Sequence, residues 1–287
     1  MASAFVVAEP RSRLARLLPA GLVALAWILI AVHAWVLLAA AWPFTTDDAW
    51  ITLRYARNLA AGEGVTWNAG DPPVEGYSNF LYVVIGAAAL RLGLGLPELL
   101  KILGTGFLAV ALAAQFVLCR RRAGDPIGVV PSVVFLSYWS VPLWTVSGLE
   151  TPAYVAFSML AFVALDRWRA EAVESGAPSR RADLRALGAG LWILLAALTR
   201  PEGPLVGIAL AAGLLLGRRS RAAGDGEPAP GAGARWRGFA LMLVTSALPY
   251  GFYAAWKLVH FGSLLPNSVR CKALYPGDPF QLPGDAL

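Results

Sequence analysis

Two adjacent carboxylates, Asp47 and Asp48, open a polar loop in a chain that is otherwise apolar. The loop reads Thr46-Asp47-Asp48-Ala49-Trp50-Ile51, then Arg54-Tyr55-Ala56-Arg57-Asn58, then Val74-Glu75-Gly76-Tyr77-Ser78-Asn79. Neighbouring acids repel, and the repulsion grows near a low-dielectric boundary. A pair held there can split its proton affinities and leave one member ready to take a proton, which is the task of a general base. The same residues also fit a plainer role as solvated acids capping the following helix, with Asp48 as N-cap.

The rest of the loop offers paired readings. Residues 49–61 form a short amphipathic helix, with Trp50, Leu53, Arg54 and Arg57 suited to a membrane interface. That helix either holds Asp47 at headgroup depth or serves only as a surface anchor. Glu75-Gly76-Tyr77 follows the rigid pair Pro72-Pro73, so Glu75 is a second acid, a metal ligand, a sugar-hydroxyl acceptor or an ordinary turn acid. Glu150 and the pair Arg200/Glu202 lie at the tips of two apolar hairpins, where charge is costly unless paired or wet. A salt bridge between loops and a catalytic role both fit them. Arg270 and Lys272, in the polar stretch after the last long apolar run, suit a phosphate leaving group or lipid headgroups. His33 reads as a packed polar residue inside the first apolar run. No P-loop, Gly-rich dinucleotide turn or Ser/His/Asp nucleophile pattern occurs.

The elements that must position these residues are apolar helices. The chain has 287 residues, of which 57% are hydrophobic. Its mean hydropathy is +0.59. That composition belongs to an all-α integral membrane protein, a polytopic helix bundle with an outward loop carrying a short interfacial helix. The net charge of +6 comes from arginines in short runs between apolar segments, a pattern of topology rather than of nucleic-acid binding. Runs long enough to span, near 20 residues, are 17–42, 98–118, 127–146 and 238–259. Shorter runs are 79–97, 152–166, 186–199 and 203–217. Thr199-Arg200-Pro201-Glu202-Gly203 and Ser147-Gly148-Leu149-Glu150-Thr151-Pro152 break helices into hairpins. The run 17–42 is too long for a signal core, so it is expected to stay as a membrane helix.

Basic loops stay cytoplasmic. Those loops are Arg11/Arg13/Arg16, Arg120-Arg121-Arg122, residues 167–185 with five arginines and residues 218–237 with five. Segments 43–78, 147–152, 199–203 and 260–287 then face outward, and 43–78 carries five acids against two bases. This divides the chain into a cytoplasmic 1–16, a first helix 17–42, an outward catalytic loop 43–78, a helix bundle 79–259 and an outward segment 260–287. Getting from residue 78 to 120 needs an odd number of crossings, so 79–97 (with Arg91) is expected to be short and interfacial rather than spanning. The other option puts the arginine triplet outside. Cys119 and Cys271 fall on opposite faces, and no disulfide is expected between them. Residues 218–237 read as a flexible loop, and the chain reads as the first part of something longer.

The loop motif from Asp47 to Asn68 (Asp-Asp-Ala-Trp-Ile-Thr-Leu-Arg-Tyr-Ala-Arg-Asn-Leu-Ala-Ala-Gly-Glu-Gly-Val-Thr-Trp-Asn), with Val74-Glu75-Gly76-Tyr77-Ser78-Asn79, resembles the first outward loop of bacterial polytopic glycosyltransferases of the GT-C fold. Within that group the motif is similar to that of the mycobacterial terminal arabinofuranosyltransferases. Ser147-Gly148-Leu149-Glu150-Thr151, Thr199-Arg200-Pro201-Glu202-Gly203 and Leu265-Pro266-Asn267-Ser268 with Lys272 are similar to later signatures of that group. The resemblance spans roughly residues 17–275 and implies a sugar donor on a polyprenyl phosphate. It implies an acceptor glycan, lipid or protein outside a bacterial plasma membrane, and inversion at the anomeric carbon. Asp47, with Asp48 second, would be the base. Substrate contacts would come from Arg54, Tyr55, Glu75, Tyr77, Glu150, Arg200, Glu202, Asn267, Arg270 and Lys272. No set of protein metal ligands is implied, and the phosphate would be steadied by Arg270, by Lys272 or by a divalent metal. The competing classes are a transporter or flippase of lipid-linked precursors and a structural or regulatory membrane subunit.

Overall fold

The computed structural model describes residues 13–175, 179–216 and 230–267. Among these residues all regular structure is helical, in twelve helices. In chain order they are α1 (Arg13–Ala41), α2 (Asp47–Ala61), α3 (Phe80–Arg91), α4 (Leu96–Ala123), α5 (Asp125–Gly128), α6 (Val130–Ser137), α7 (Ser140–Thr145), α8 (Thr151–Ser175), α9 (Arg180–Thr199), α10 (Gly203–Leu216), α11 (Ala232–Thr245) and α12 (Ala247–Phe261). Four stretches are long and apolar enough to cross a membrane: Gly21–Ala41, Leu96–Ala123, Arg180–Thr199 and Ala232–Phe261. Large apolar side chains such as Leu29, Trp35, Ile102, Leu191 and Phe252 lie on the outside of these helices. An outward-facing apolar surface of that kind suits lipid, so the molecule is a helical membrane protein.

The helices place the polar loops at two ends. Lys101, one turn into α4, donates to the carbonyls of Trp42 (2.6 Å) and Phe44 (2.9 Å) after α1. The start of α4 therefore lies at the same end as the finish of α1. Between them α2 and α3 form a hairpin. Gly86 of α3 leaves no room for a side chain against Ala56 of α2, and Arg91 donates to the carbonyls of Ala60 and Leu59. With 12 residues, α3 is too short to cross, and it adds no pass between the loop and the arginine triplet. That agrees with the expectation that the element within 79–97 is short. The triplet lies at the far end of α4, where Arg121 pairs with Asp166 of α8 at 2.9 Å. Asp183 of α9 meets Arg237 of α11 at the same end, at 2.8 Å.

Two expectations about these segments need correction. The run 127–146 is not one helix. Prolines at the openings of α5 and α6, and a break at Tyr138–Trp139, cut the return pass into α5, α6 and α7. These pieces pack through Val129, Leu136 and Val146 against Leu108 and Leu112 of α4 and Ile30 and Leu38 of α1. His33 is not packed either; it is exposed on α1. The hairpin broken at 199–203 holds as expected, with α9 ending and α10 starting there, and α8 and α9 form the central pair around Ala153, Phe157 and Ala196. The fourth long apolar stretch bends at Ser246, where α11 passes into α12.

Candidate functional site

Helix α2 begins at Asp47, with Thr46 as an extended N-cap whose side chain makes no capping bond. The acids therefore occupy the first two helical positions, and Asp48 is not the cap. Negative charge there is favoured by the unpaired N–H groups and the helix dipole. Consecutive helical residues do not face each other, so the two carboxylates act as separate acceptors rather than a dyad. Both are exposed. One oxygen of Asp47, Oδ1, accepts from Thr46 Oγ1 (3.2 Å) and from the Asp48 N–H (3.0 Å). Its other oxygen has no partner among the described residues.

The corner before α2 is tied to the hairpin tip at 146–150. The Thr46 N–H donates to the Ser147 carbonyl at 3.1 Å. Gly148 adopts φ +86° and sits so close to Ala49 that a Cβ there would press on it. Only glycine meets both demands. Two residues on, Glu150 is buried, with a side-chain exposure of 5%. Its Oε1 lies 3.1 Å from Arg200 of the second hairpin tip, and its Oε2 accepts from Asn79 Nδ2 at 2.8 Å. Asn79 Oδ1 in turn accepts from Thr52 Oγ1 of α2 at 2.9 Å. Arg200 also holds Glu202, at 2.7 Å. Burial raises the Glu150 carboxyl above the usual range, against the bonds from its own backbone N–H, from Asn79 and from Arg200. Three segments thus meet on one carboxylate, with α2 joined to them through Asn79, and the salt bridge expected between the hairpins is present.

A second buried pair lies one step along the loop. Glu75 Oε2 is 2.9 Å from Lys257 Nζ of α12, and both side chains are under 8% exposed. The Glu75 carbonyl accepts from the Asn267 N–H at 2.9 Å. Burial raises the Glu75 carboxyl, and Lys257 opposes the shift. Tyr77 is buried against Tyr55, Phe80 and Phe261, and burial pushes its hydroxyl above the usual phenol range. The Tyr55 hydroxyl donates to the Val74 carbonyl and accepts from the Gly76 N–H. Burial raises it as well, partly offset by that Gly76 N–H. Arg54 donates to the Trp67 carbonyl (2.9 Å) and to Asn68 Oδ1, and its guanidinium stacks 4.1 Å over the Trp67 ring.

The predicted residues therefore sort into four groups. Asp47 and Asp48 are exposed at the mouth of the site. Glu150, Arg200 and Glu202 form one network, and Glu75 with Tyr77 and the Asn267 backbone forms another. Arg54 and Tyr55 hold the loop in shape. Arg270 and Lys272, like Cys271, lie outside the described residues. Sequence reasoning missed Thr52, Asn79 and Lys257 as partners. A lone lysine near the end of an apolar helix demands a carboxylate, so Lys257 was detectable in principle. Thr52 and Asn79 carry no such signal. Among the described residues no three His, Cys, Asp or Glu side chains converge where a metal ion could be held.

No protein-family model matches the chain, and neither a curated protein nor a solved structure does. The functional reading therefore rests on the geometry and on the loop motif.

Proposed function

We propose that the chain is a membrane glycosyltransferase. It moves a sugar from a polyprenyl-phosphate donor to an acceptor hydroxyl, with inversion, on the outer side of a bacterial plasma membrane. The observation that carries the reading is the meeting of four loop segments beside one exposed acid. Asp47 keeps a free carboxylate oxygen, and its neighbour Thr46 is bonded to the turn that carries Glu150 and, through it, Arg200. The resemblance of the Asp47–Asn79 loop to GT-C transferases supports the same assignment.

In this mechanism Asp47 takes the proton of the acceptor hydroxyl. The acceptor oxygen bonds to the anomeric carbon from the face opposite the leaving group. The bond from that carbon to the phosphate oxygen breaks, and its electron pair leaves with the polyprenyl phosphate. The transition state is oxocarbenium-like. Arg270, Lys272 or a divalent metal would offset the phosphate charge. An apolar groove of about 530 Å³, walled by Ile193, Ile208, Met242 and Tyr250 between α9, α10, α11 and α12, suits the lipid tail.

A flippase would need charges distributed along the pass. The buried charged residues Lys101, Glu75, Glu150 and Lys257 instead gather at the end that carries Asp47. Asp47→Asn tests the reading in the full-length protein, with sugar release from polyprenyl-phosphate donors as the readout. A fall of about 10²- to 10⁴-fold is expected for loss of a general base. Undiminished transfer ends the proposal. A cysteine placed beside Asp47 should react with an impermeant reagent from outside the cell; reaction from the cytosol alone would also end it.

A further inference from the structure

A cleft of about 470 Å³ opens between α2 and the loop that follows it. Its wall includes Ile51 and Tyr55 from the helix and Trp67, Asn68 and Asp71 from the loop. We propose that this cleft is a saccharide subsite that takes one uncharged pyranose or furanose ring of the acceptor glycan.

The lining has the chemistry that a sugar ring requires. A sugar presents a C–H face that packs on an aromatic ring, and hydroxyls that pair with carboxylate and amide groups. Trp67 is 38% exposed. Arg54 covers one face of its indole and is not part of the cleft wall, so the ring meets the cleft by its remaining face or edge. The indole N–H has no partner among the described residues. Asn68 receives a bond from Arg54 and donates through Nδ2 to Asp71 Oδ2 at 2.7 Å. That chain fixes Asp71 while leaving its Oδ1 as an open acceptor. The cleft also falls within the size range of small-molecule sites, roughly 300–1,000 Å³.

The charge of the wall selects the occupant. Among the described residues, Asp71 is the one acidic side chain on it and none of the lining residues is basic. A phosphate would meet repulsion there, whereas a neutral polyol would gain a strong acceptor. The site is therefore assigned to the acceptor rather than to the phosphorylated donor. Arg54 pre-sets Trp67 and Asn68, so little side-chain ordering is left to binding.

The assignment to an acceptor rests on the transferase reading, but binding can be measured without transfer. The full chain is purified in lauryldimethylamine oxide, a detergent without sugar. Saturation-transfer NMR is then recorded with methyl α-mannopyranoside, methyl β-galactopyranoside and methyl α-arabinofuranoside. At least one glycoside should receive saturation. Trp67→Ala and Asp71→Asn should each weaken its binding roughly tenfold, the effect of losing one good contact. Arg237→Ala should leave it unchanged. Should Trp67→Ala disturb the loop, Trp67→Phe keeps an aromatic face and Asp71→Asn keeps the shape, and Asp71→Asn must weaken binding at an unaltered unfolding midpoint. Absence of saturation for all three glycosides, survival of the signal in both Trp67→Ala and Asp71→Asn, or displacement of the glycoside by inorganic phosphate overturns the subsite. Glycoside binding with this dependence, beside undiminished transfer by Asp47→Asn, would instead remove the transferase reading and leave the subsite standing.

Discussion

The two ends of the helix assembly use the same ion-pair chemistry in different surroundings. At the end bearing Asp47, Glu150 meets Arg200 and Glu75 meets Lys257, with the two acid side chains 5% and 4% exposed. At the opposite end Arg121 meets Asp166 and Arg237 meets Asp183, with both arginines more than 40% exposed. An exposed pair sits in high dielectric, is screened by salt and contributes little to stability. A buried pair carries a large desolvation cost that its own attraction only roughly offsets. Stability therefore does not explain why the acids at one end are buried. Their partners do: Glu150 ties together both hairpin tips and the start of α3, and Glu75 ties the long loop to α12. Charge is used at one end to hold a geometry, and at the other to dress a surface.

Removing one partner of a buried pair should separate the ends most sharply. Arg200→Ala leaves Glu150 buried without a cation, held only by Asn79 and its own backbone N–H, and should cost about 3 kcal/mol, read as a lower unfolding midpoint in detergent. Adding Glu150→Gln should recover part of that loss, because the uncompensated charge is then gone. Arg200→Ala without any shift would dissolve the contrast between the ends.

The Glu75–Lys257 pair should show the next effect, through pH. Burial raises the folded-state carboxyl of Glu75 above its unfolded value. The folded protein therefore binds that proton more tightly than the unfolded chain does. The resulting stability is complete below the ordinary glutamate value, about 4.3. It is lost as pH rises through the raised folded value. The unfolding midpoint should fall with rising pH across that window. Lys257→Met removes the group that opposes the shift, so its destabilisation should be greater at pH 7 than at pH 5. Glu75→Gln should flatten the part of the slope that Glu75 contributes. The smallest effect belongs to the exposed end, where Arg237→Ala should shift the midpoint little and, because Arg237 holds the Asp183 carboxyl below its usual range, change its pH dependence only in acid.

Much of the framework was legible in the chain. Pro201 and Gly203 break a helix wherever they fall, and α9 and α10 stop and start around them. Helix α2 followed from its apolar spacing, although its cap was misplaced because an Asp inside the first turn and an Asp before it look alike in sequence. Arg91 within 79–97 pointed to a short element, and α3 caps α2 through that arginine. The failures came from segments whose apolar content was right and whose backbone was not. Residues 127–146 are apolar enough to span, yet prolines and the close packing of Gly104 on the Thr145 carbonyl divide them. Arg54 and Tyr55, expected as substrate contacts, also hold the loop through the Trp67 and Val74 carbonyls, a role that their types alone do not signal.

Hydropathy and charge by themselves determined that this chain is a set of apolar helices joined by polar, charged loops. Those properties follow from residue type alone, through transfer to lipid and the cost of moving charge across it. Which acids are buried, and which one stays open beside a free carboxylate oxygen, was decided only by tertiary structure. Asn79 and Glu150 stand 71 positions apart and bond at 2.8 Å. The loop geometry around Asp47 exists because α2, α3, both hairpin tips and α12 pack together. Partners so distant in sequence meet only when the helices have chosen their neighbours, and no local pattern of residues records that choice.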